Sequence, residues 1–125
     1  MMKQGTAEQY LKVILRLKKR SGAVRAVQIA EELNVSRPTV CVALKELKRR
    51  GYVYDYDDHE IRLTQLGETI AAAVTERCSF MQMLLTELGV DPVTAAKDAN
   101  LLGHALSESS YGALRGFALT HLGKH

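Results

Sequence analysis

Val27-Gln28-Ile29-Ala30-Glu31-Glu32-Leu33-Asn34-Val35-Ser36-Arg37-Pro38-Thr39-Val40-Cys41-Val42-Ala43-Leu44-Lys45-Glu46-Leu47-Lys48-Arg49-Arg50-Gly51 decides the fold. It reads as two helices meeting at a tight turn, the second running into a basic cluster, which is a helix-turn-helix. Ile29, Ala30 and Leu33 supply the apolar face of the first helix, and Asn34-Val35 interrupts its period. Ser36 stands where an N-cap belongs, ready to accept from the free N–H of Thr39. Pro38 falls in the first turn, where its missing N–H costs little. Gly51 sits just beyond the last turn, where a positive φ is needed.

Period separates the second helix into two faces. Val40, Leu44 and Leu47 recur at i, i+4, i+7 and point inward, while Arg37, Pro38, Cys41, Val42, Lys45 and Arg49 point outward. The outward face begins with Ser36, Arg37 and Thr39. It offers one bidentate guanidinium and two hydroxyls to phosphates or base edges, and Val42 can meet a thymine methyl. Basic residues at a helix C-terminus also suit the macrodipole of an ordinary surface helix. The motif alone therefore does not establish a DNA-binding surface.

The charge distribution strengthens the DNA reading. Of the 125 residues, 46% are hydrophobic and 25% charged, an ordinary globular balance with room for one domain or two small ones. Residues 1–54 carry +8 and residues 55–125 carry −5, which together give the net +3. A basic half holding the helix-turn-helix, joined to an acidic half without it, suits a nucleic-acid reader with a separate assembly or sensing part. No apolar run approaches the ~18 residues of a membrane helix and no signal peptide is visible, so a cytoplasmic protein with no membrane partner is expected. With no Trp and only two Phe, a membrane-surface helix lacks anchors. Cys41 and Cys78 lie far apart without a C-x-x-C pattern and are expected to be free thiols.

Upstream, a first helix opens at Gly5-Thr6-Ala7-Glu8 with Thr6 as its cap, buries Tyr10, Val13, Ile14 and Leu17, and ends near Ser21-Gly22. Downstream of Gly51 the period shortens to 2. Tyr52 to Tyr56 and Glu60 to Thr64 flank Asp57-Asp58-His59, which gives a β-hairpin and hence a winged helix. The hairpin tip is acidic, so Arg62 rather than the tip is expected to reach phosphate. A long helix follows from Gln65 to about Leu88, with Ile70, Val74, Met81, Leu84, Leu85 and Leu88 along one stripe. Asp91-Pro92 starts another, running to about Leu106 through Val93, Ala96, Leu101 and Leu102. Ser107 caps a last one, expected to bury Tyr111, Leu114, Phe117, Ala118 and Leu122. The fold class is mainly α: an N-terminal winged helix-turn-helix followed by an all-helical domain.

Several strings in this order carry a resemblance. Tyr10-Leu11, Ile29-Ala30-Glu31-Glu32-Leu33, Val35-Ser36-Arg37-Pro38-Thr39-Val40, Leu63-Thr64-Gln65-Leu66-Gly67, Leu88-Gly89-Val90-Asp91 and His104-Ala105-Leu106-Ser107 are spaced as in one family. From Glu8 to Leu122 the chain resembles the diphtheria-toxin-repressor family of metal-dependent transcriptional regulators, in the short manganese-transport-regulator form without an SH3-like domain. The resemblance implies a homodimer that represses transcription from a palindromic operator in double-stranded DNA, with one recognition helix in each of two major grooves. It implies a winged-helix DNA-binding domain at residues 1–70 and a dimerisation domain at 71–125. It also implies Mn²⁺ or Fe²⁺ as the effector that couples the two.

The sequence departs from the family at the metal. Gln9, Lys12, Cys78, Asn100, Gly103 and His104 stand at the positions where the family carries its carboxylate and histidine ligands, and only His104 keeps the family's residue. Hard divalent cations take anionic oxygen ligands. An ammonium such as that of Lys12, about 4 Å away, would oppose such an ion by roughly 4 kcal/mol per unit charge at an effective dielectric near 20, twice that for a divalent ion. Three schemes follow. In the first the metal switch is lost and Lys12 holds the domains in the metal's stead. In the second Cys78 and His104 keep a softer ion. In the third Cys78 or Cys41 senses oxidants, or a small molecule fills the site.

Outside the family's positions, His59 is at the wing tip and solvated, while His121 and His125 lie four apart near the terminus without a third ligand. No Gly-rich phosphate loop, H-E-x-x-H, G-x-S-x-G or paired-carboxylate arrangement occurs, so an enzyme is not expected. The alternative from another class is a winged helix that binds protein and has no DNA target. The cationic face of Arg37, Lys45 and Arg49, with Lys48 and Arg50 beside it, separates the two.

Overall fold

In the computed structural model, residues 2–122 are described. Among them, six α-helices and one two-stranded sheet follow the order α1 (Gln4–Ser21), α2 (Ala26–Leu33), α3 (Arg37–Arg49), β1 (Val53–Asp55), β2 (Ile61–Leu63), α4 (Gln65–Glu87), α5 (Pro92–Ala105) and α6 (Glu108–His121), with a 3-10 turn (Asp57–His59) between the strands. The chain forms two compact units, Met1–Ala73 and Val74–His125. No helix among the described residues is long and apolar enough to cross a membrane.

In the first unit, α1 to α3 and the hairpin enclose one core. Leu11, Ile14, Leu17, Val24, Ile29, Val40 and Leu47 are its largest fully buried side chains. Arg16 and Arg20 both reach Glu32, at 2.8 and 3.0 Å, tying the solvent edges of α1 and α2. The expected cap of α1 is corrected: the helix begins at Gln4, Lys3 is its N-cap, and no side chain caps it. Thr6 is already inside the first turn. The other helix ends follow local chemistry. Asn34 takes the left-handed conformation (φ 56°) that ends α2, and Ser36 Oγ accepts from Thr39 N–H at 3.2 Å to start α3.

β1 and β2 pair antiparallel, with Val53 opposite Leu63 and Asp55 opposite Ile61. The N–H of Ile61 donates to the carbonyl of Val24 (2.7 Å), so the segment before α2 borders the wing. The wing is joined to α4 through Thr64. Its hydroxyl donates to the carbonyl of Gly51 (2.6 Å) and accepts from the N–H of Gly67 (3.1 Å), while its own N–H donates to the carbonyl of Tyr52 (3.0 Å).

In the second unit, Met81, Leu84, Ala99 and Ala118 form a small core with Phe80, Leu85, Leu102, Leu106 and Leu122 packed on it. Asp91 and Ser107 cap α5 and α6 by accepting from Thr94 and Ser110 N–H. The burial expected along α6 needs correction at Leu114 and Phe117, and large apolar residues elsewhere in the unit are exposed too. Val93 is 71% exposed, Leu101 69% and Phe117 58%, and Leu88 and Leu114 also face solvent. α5 buries Ala95, Ala99 and Gly103 instead. These small residues recur every four positions and let the helices approach closely, which turns the large side chains outward.

Candidate nucleic-acid interface

α3 presents the outward face that its period predicts. Ser36, Arg37, Pro38, Thr39, Cys41, Val42, Lys45 and Arg49 are all exposed, over an inward row of Val40, Ala43, Leu44 and Leu47. Arg37, Cys41 and Lys45 follow one another at four-residue steps along a single stripe. At the head of this stripe the Ser36 and Thr39 hydroxyls lie 2.8 Å apart in a mutual hydrogen bond. Ser36 Oγ already accepts from Thr39 N–H, and Thr39 Oγ1 retains a lone pair for another donor.

The cations of this surface fall into two groups. Neither Arg37 nor Lys45 makes an ion pair with any described residue. Every other cation around the C-terminal half of α3 and the wing has an acidic partner within the chain. Arg49 donates through Nε and Nη2 to the two oxygens of Glu46, at 2.9 and 2.6 Å. Arg50 donates through Nε to the same carboxylate at 2.7 Å, through Nη1 to Gln4, and through Nη2 to the carbonyl of Met2. Together these bonds, Arg49's first, hold the Glu46 carboxyl down to about 2. It is therefore ionised throughout the physiological range. Lys48 reaches Asp55 at 2.8 Å.

The wing repeats this pairing. Arg62 donates to Glu60 at 2.9 Å and lies 3.4 Å above the ring of Tyr56, while Arg25 grips the tip through the carboxylate and carbonyl of Asp58, each at 3.1 Å. Asp58 and His59 both take left-handed conformations there, and His59 is exposed. Sequence reasoning singled out Arg62 but missed the Arg25–Asp58 clasp. A separation of 33 residues carries no periodic signal.

The positions matched to metal ligands lie on three helices. Gln9 and Lys12 are on α1 in the first unit, and Cys78, Asn100, Gly103 and His104 are on α4 and α5 in the second. Within the second unit the structure brings Cys78 against Gly103 and Asn100. A Cβ built on Gly103 would lie 2.4 Å from Cys78 Sγ and 3.3 Å from its backbone. The thiol points a long S–H···O contact of 4.0 Å at the carbonyl of Asn100. Among the described residues no group of three His, Cys, Asp or Glu side chains is arranged to hold a metal. His121 Nδ1 is 3.0 Å from the carbonyl of Phe117 and its ring stacks on that residue, while His125 lies outside the described residues.

The Cys78–Gly103 contact has a measurable consequence. In an open helix interior Gly→Ala stabilises by about 0.5–1 kcal/mol. At Gly103 the added methyl overlaps the thiol, so Gly103→Ala is expected to destabilise the chain by about 1–3 kcal/mol in urea unfolding. Adding Cys78→Ala should recover much of that, since Sγ is the nearest obstacle. A Gly103→Ala chain more stable than its parent would refute the contact.

Comparison with known proteins places these features in context. Residues 3–59 match the family described as iron dependent repressor, N-terminal DNA binding domain. The chain is 34% identical over 114 residues to the transcriptional regulator MntR of Escherichia coli O6:H1, covering 91% of this chain and 74% of the relative. It is 31% identical over 104 residues to the diphtheria toxin repressor of Corynebacterium diphtheriae, covering 82% and 46%. Among solved structures it resembles the manganese regulator SloR, with a TM-score of 0.78 and 27% identity over 89% of this chain. It spans about half the length of the SloR chain (52%).

Proposed function

Because the chain belongs to the family of metal-dependent transcriptional repressors that includes MntR and the diphtheria toxin repressor, we propose that it is a homodimeric repressor binding a palindromic operator without the family's metal switch. Members of this family are DNA-binding regulators of transcription, not enzymes. The observation that carries the DNA reading is the unpaired cationic stripe of Arg37 and Lys45 beside the Ser36 and Thr39 hydroxyls, on a capped helix exposed along that whole face. In this reading α3 enters the major groove, Arg37 meets a guanine edge or a phosphate, Val42 meets a thymine methyl, Lys45 faces the backbone, and Arg49 lies at the same edge with its guanidinium held by Glu46. Pro38 and Cys41 lie against the groove wall. Arg62 supplies the wing's contact, and the protein works in the cytoplasm, where its DNA is.

Two kinds of observation support the remaining parts. The exposed Val93, Leu101, Phe117 and Leu119 of α5 and α6 suit burial against a second copy of the chain. Of the four second-unit residues at the family's ligand positions, only His104 is a ligand of the family's kind; Gly103 has no side chain, Asn100 is a neutral amide, and Cys78 is a thiol packed on Gly103, a set poor in the anionic oxygens that Mn²⁺ or Fe²⁺ takes. Lys12 adds a positive charge to the matched set.

Fluorescence anisotropy on promoter-region duplexes at fixed salt tests the proposal. Binding should be as tight in excess chelator as with added Mn²⁺, Fe²⁺, Co²⁺ or Zn²⁺. Affinity that rises tenfold or more with one metal would show that Cys78 and His104 still form a switch.

A further inference from the structure

We propose that Glu46 is a built-in counter-ion that withholds Arg49 from the DNA backbone and so weakens binding to duplexes of arbitrary sequence. The inference rests on α3 being the DNA-facing helix. Glu46 is held from below. Arg50, itself anchored to Met2 and Gln4, fixes one of its oxygens at 2.7 Å, and the Glu46 side chain is only 19% exposed. Above it, Arg49 is 61% exposed and donates two parallel N–H groups to the carboxylate. That two-pronged geometry is the one a guanidinium uses on a phosphate. Arg49 is thus within reach of DNA, but the edge it would use is already occupied.

An exchange of partners is unfavourable in a specific way. A phosphate that takes Arg49 leaves the Glu46 carboxylate with Arg50 alone and sets two anions side by side. The carboxylate cannot avoid this by protonation, since its pKa of about 2 keeps it charged. Lys48, Arg62 and Arg25 are paired with Asp55, Glu60 and Asp58, each acid serving one cation, whereas Glu46 serves two guanidiniums. Of the unpaired cations, Arg37 opens α3 beside the Ser36 and Thr39 hydroxyls, and Lys45 stands immediately before Glu46. Sequence-independent attraction is therefore damped at the C-terminal end and left intact where base edges would be read.

The test uses a fluorescein-labelled 30-base-pair duplex of mixed sequence and anisotropy titrations across a series of salt concentrations. Glu46→Gln keeps an acceptor for Arg50 and should bind about 3- to 10-fold tighter near 0.1 M salt. Its log K against log salt slope should be steeper by about 0.9, the value of one added phosphate contact. Arg49→Ala should change affinity by less than about twofold in the parent chain yet remove the gain in the Glu46→Gln background. A purely structural role for Glu46 would not move the salt slope.

Unchanged or weaker binding by Glu46→Gln would overturn the inference, as would a tenfold loss for Arg49→Ala in the parent. Should circular dichroism show that Glu46→Gln does not fold, the Arg49→Ala measurement in the parent decides alone. A parent chain that binds no duplex would remove the DNA-facing reading of α3 and this inference with it. Equal slopes in a parent that does bind would remove the inference only.

Discussion

Replacing Gly67 with alanine is expected to unfold the first unit at markedly lower temperature than any other single-methyl change in it. A Cβ at Gly67 would lie 2.0 Å from the carbonyl oxygen of Tyr52 and 2.9 Å from its carbonyl carbon. Both atoms are backbone, and neither is free to withdraw. The N–H of Tyr52 is bonded to the carbonyl of Leu47, its carbonyl accepts from Thr64 N–H, and Thr64 binds Gly67 N–H in turn. Relief requires the start of the wing to move by more than an ångström away from α4, which breaks this set of bonds. We expect a loss of about 3 kcal/mol. For a unit of this size that is a fall in Tm of roughly 12–24 °C. Differential scanning calorimetry of Gly67→Ala measures it, and a Tm within a few degrees of the parent would mean that the close approach does not exist in solution.

Arg37→Ala is expected to give the largest loss of DNA affinity of any single truncation on α3. Arg37 is exposed at the start of the helix and has no acidic neighbour to surrender, so the whole of its interaction with DNA is new on binding. If it reads a base edge bidentately, its removal costs about 1–3 kcal/mol on the preferred sequence and relaxes the preference at that base pair. Lys45→Ala should instead weaken binding about equally on all sequences and lower the salt slope by about 1. Competition anisotropy with single-base-pair variants of a bound promoter fragment separates the two. An Arg37→Ala chain that binds as the parent does would leave the interaction-module alternative standing, because that reading needs no cation at the head of α3.

Much of the fold was legible in local chemistry. The stop at Asn34, the Ser36 cap, Pro38 in the first turn and the positive φ of Gly51 (78°) each depend on residues within four positions of one another. Sequence displays such distances directly. The inward row of α3 and the change of period at Tyr52 were equally plain, since periodicity is a property of the chain before it folds. The N-terminus of α1 was misplaced because Thr6 is a good cap by type, but the helix starts earlier with Lys3 at the cap position and no side-chain bond.

Leu114 and Phe117 of α6 were misjudged for a different reason. Hydrophobic character says that a residue avoids water, not which surface covers it, and in the single chain Val93, Leu101 and Phe117 remain exposed. The sequence by itself determined the helix-turn-helix, the wing and the family, because these are matters of residue type and near spacing. Only the tertiary structure decided which cations stay unpaired, why Gly67 and Gly103 admit no methyl, and that the wing tip is clasped by Arg25. The two glycine contacts and the clasp bring together residues 15 to 33 positions apart, and the chain encodes such meetings only through the packing of all its parts together.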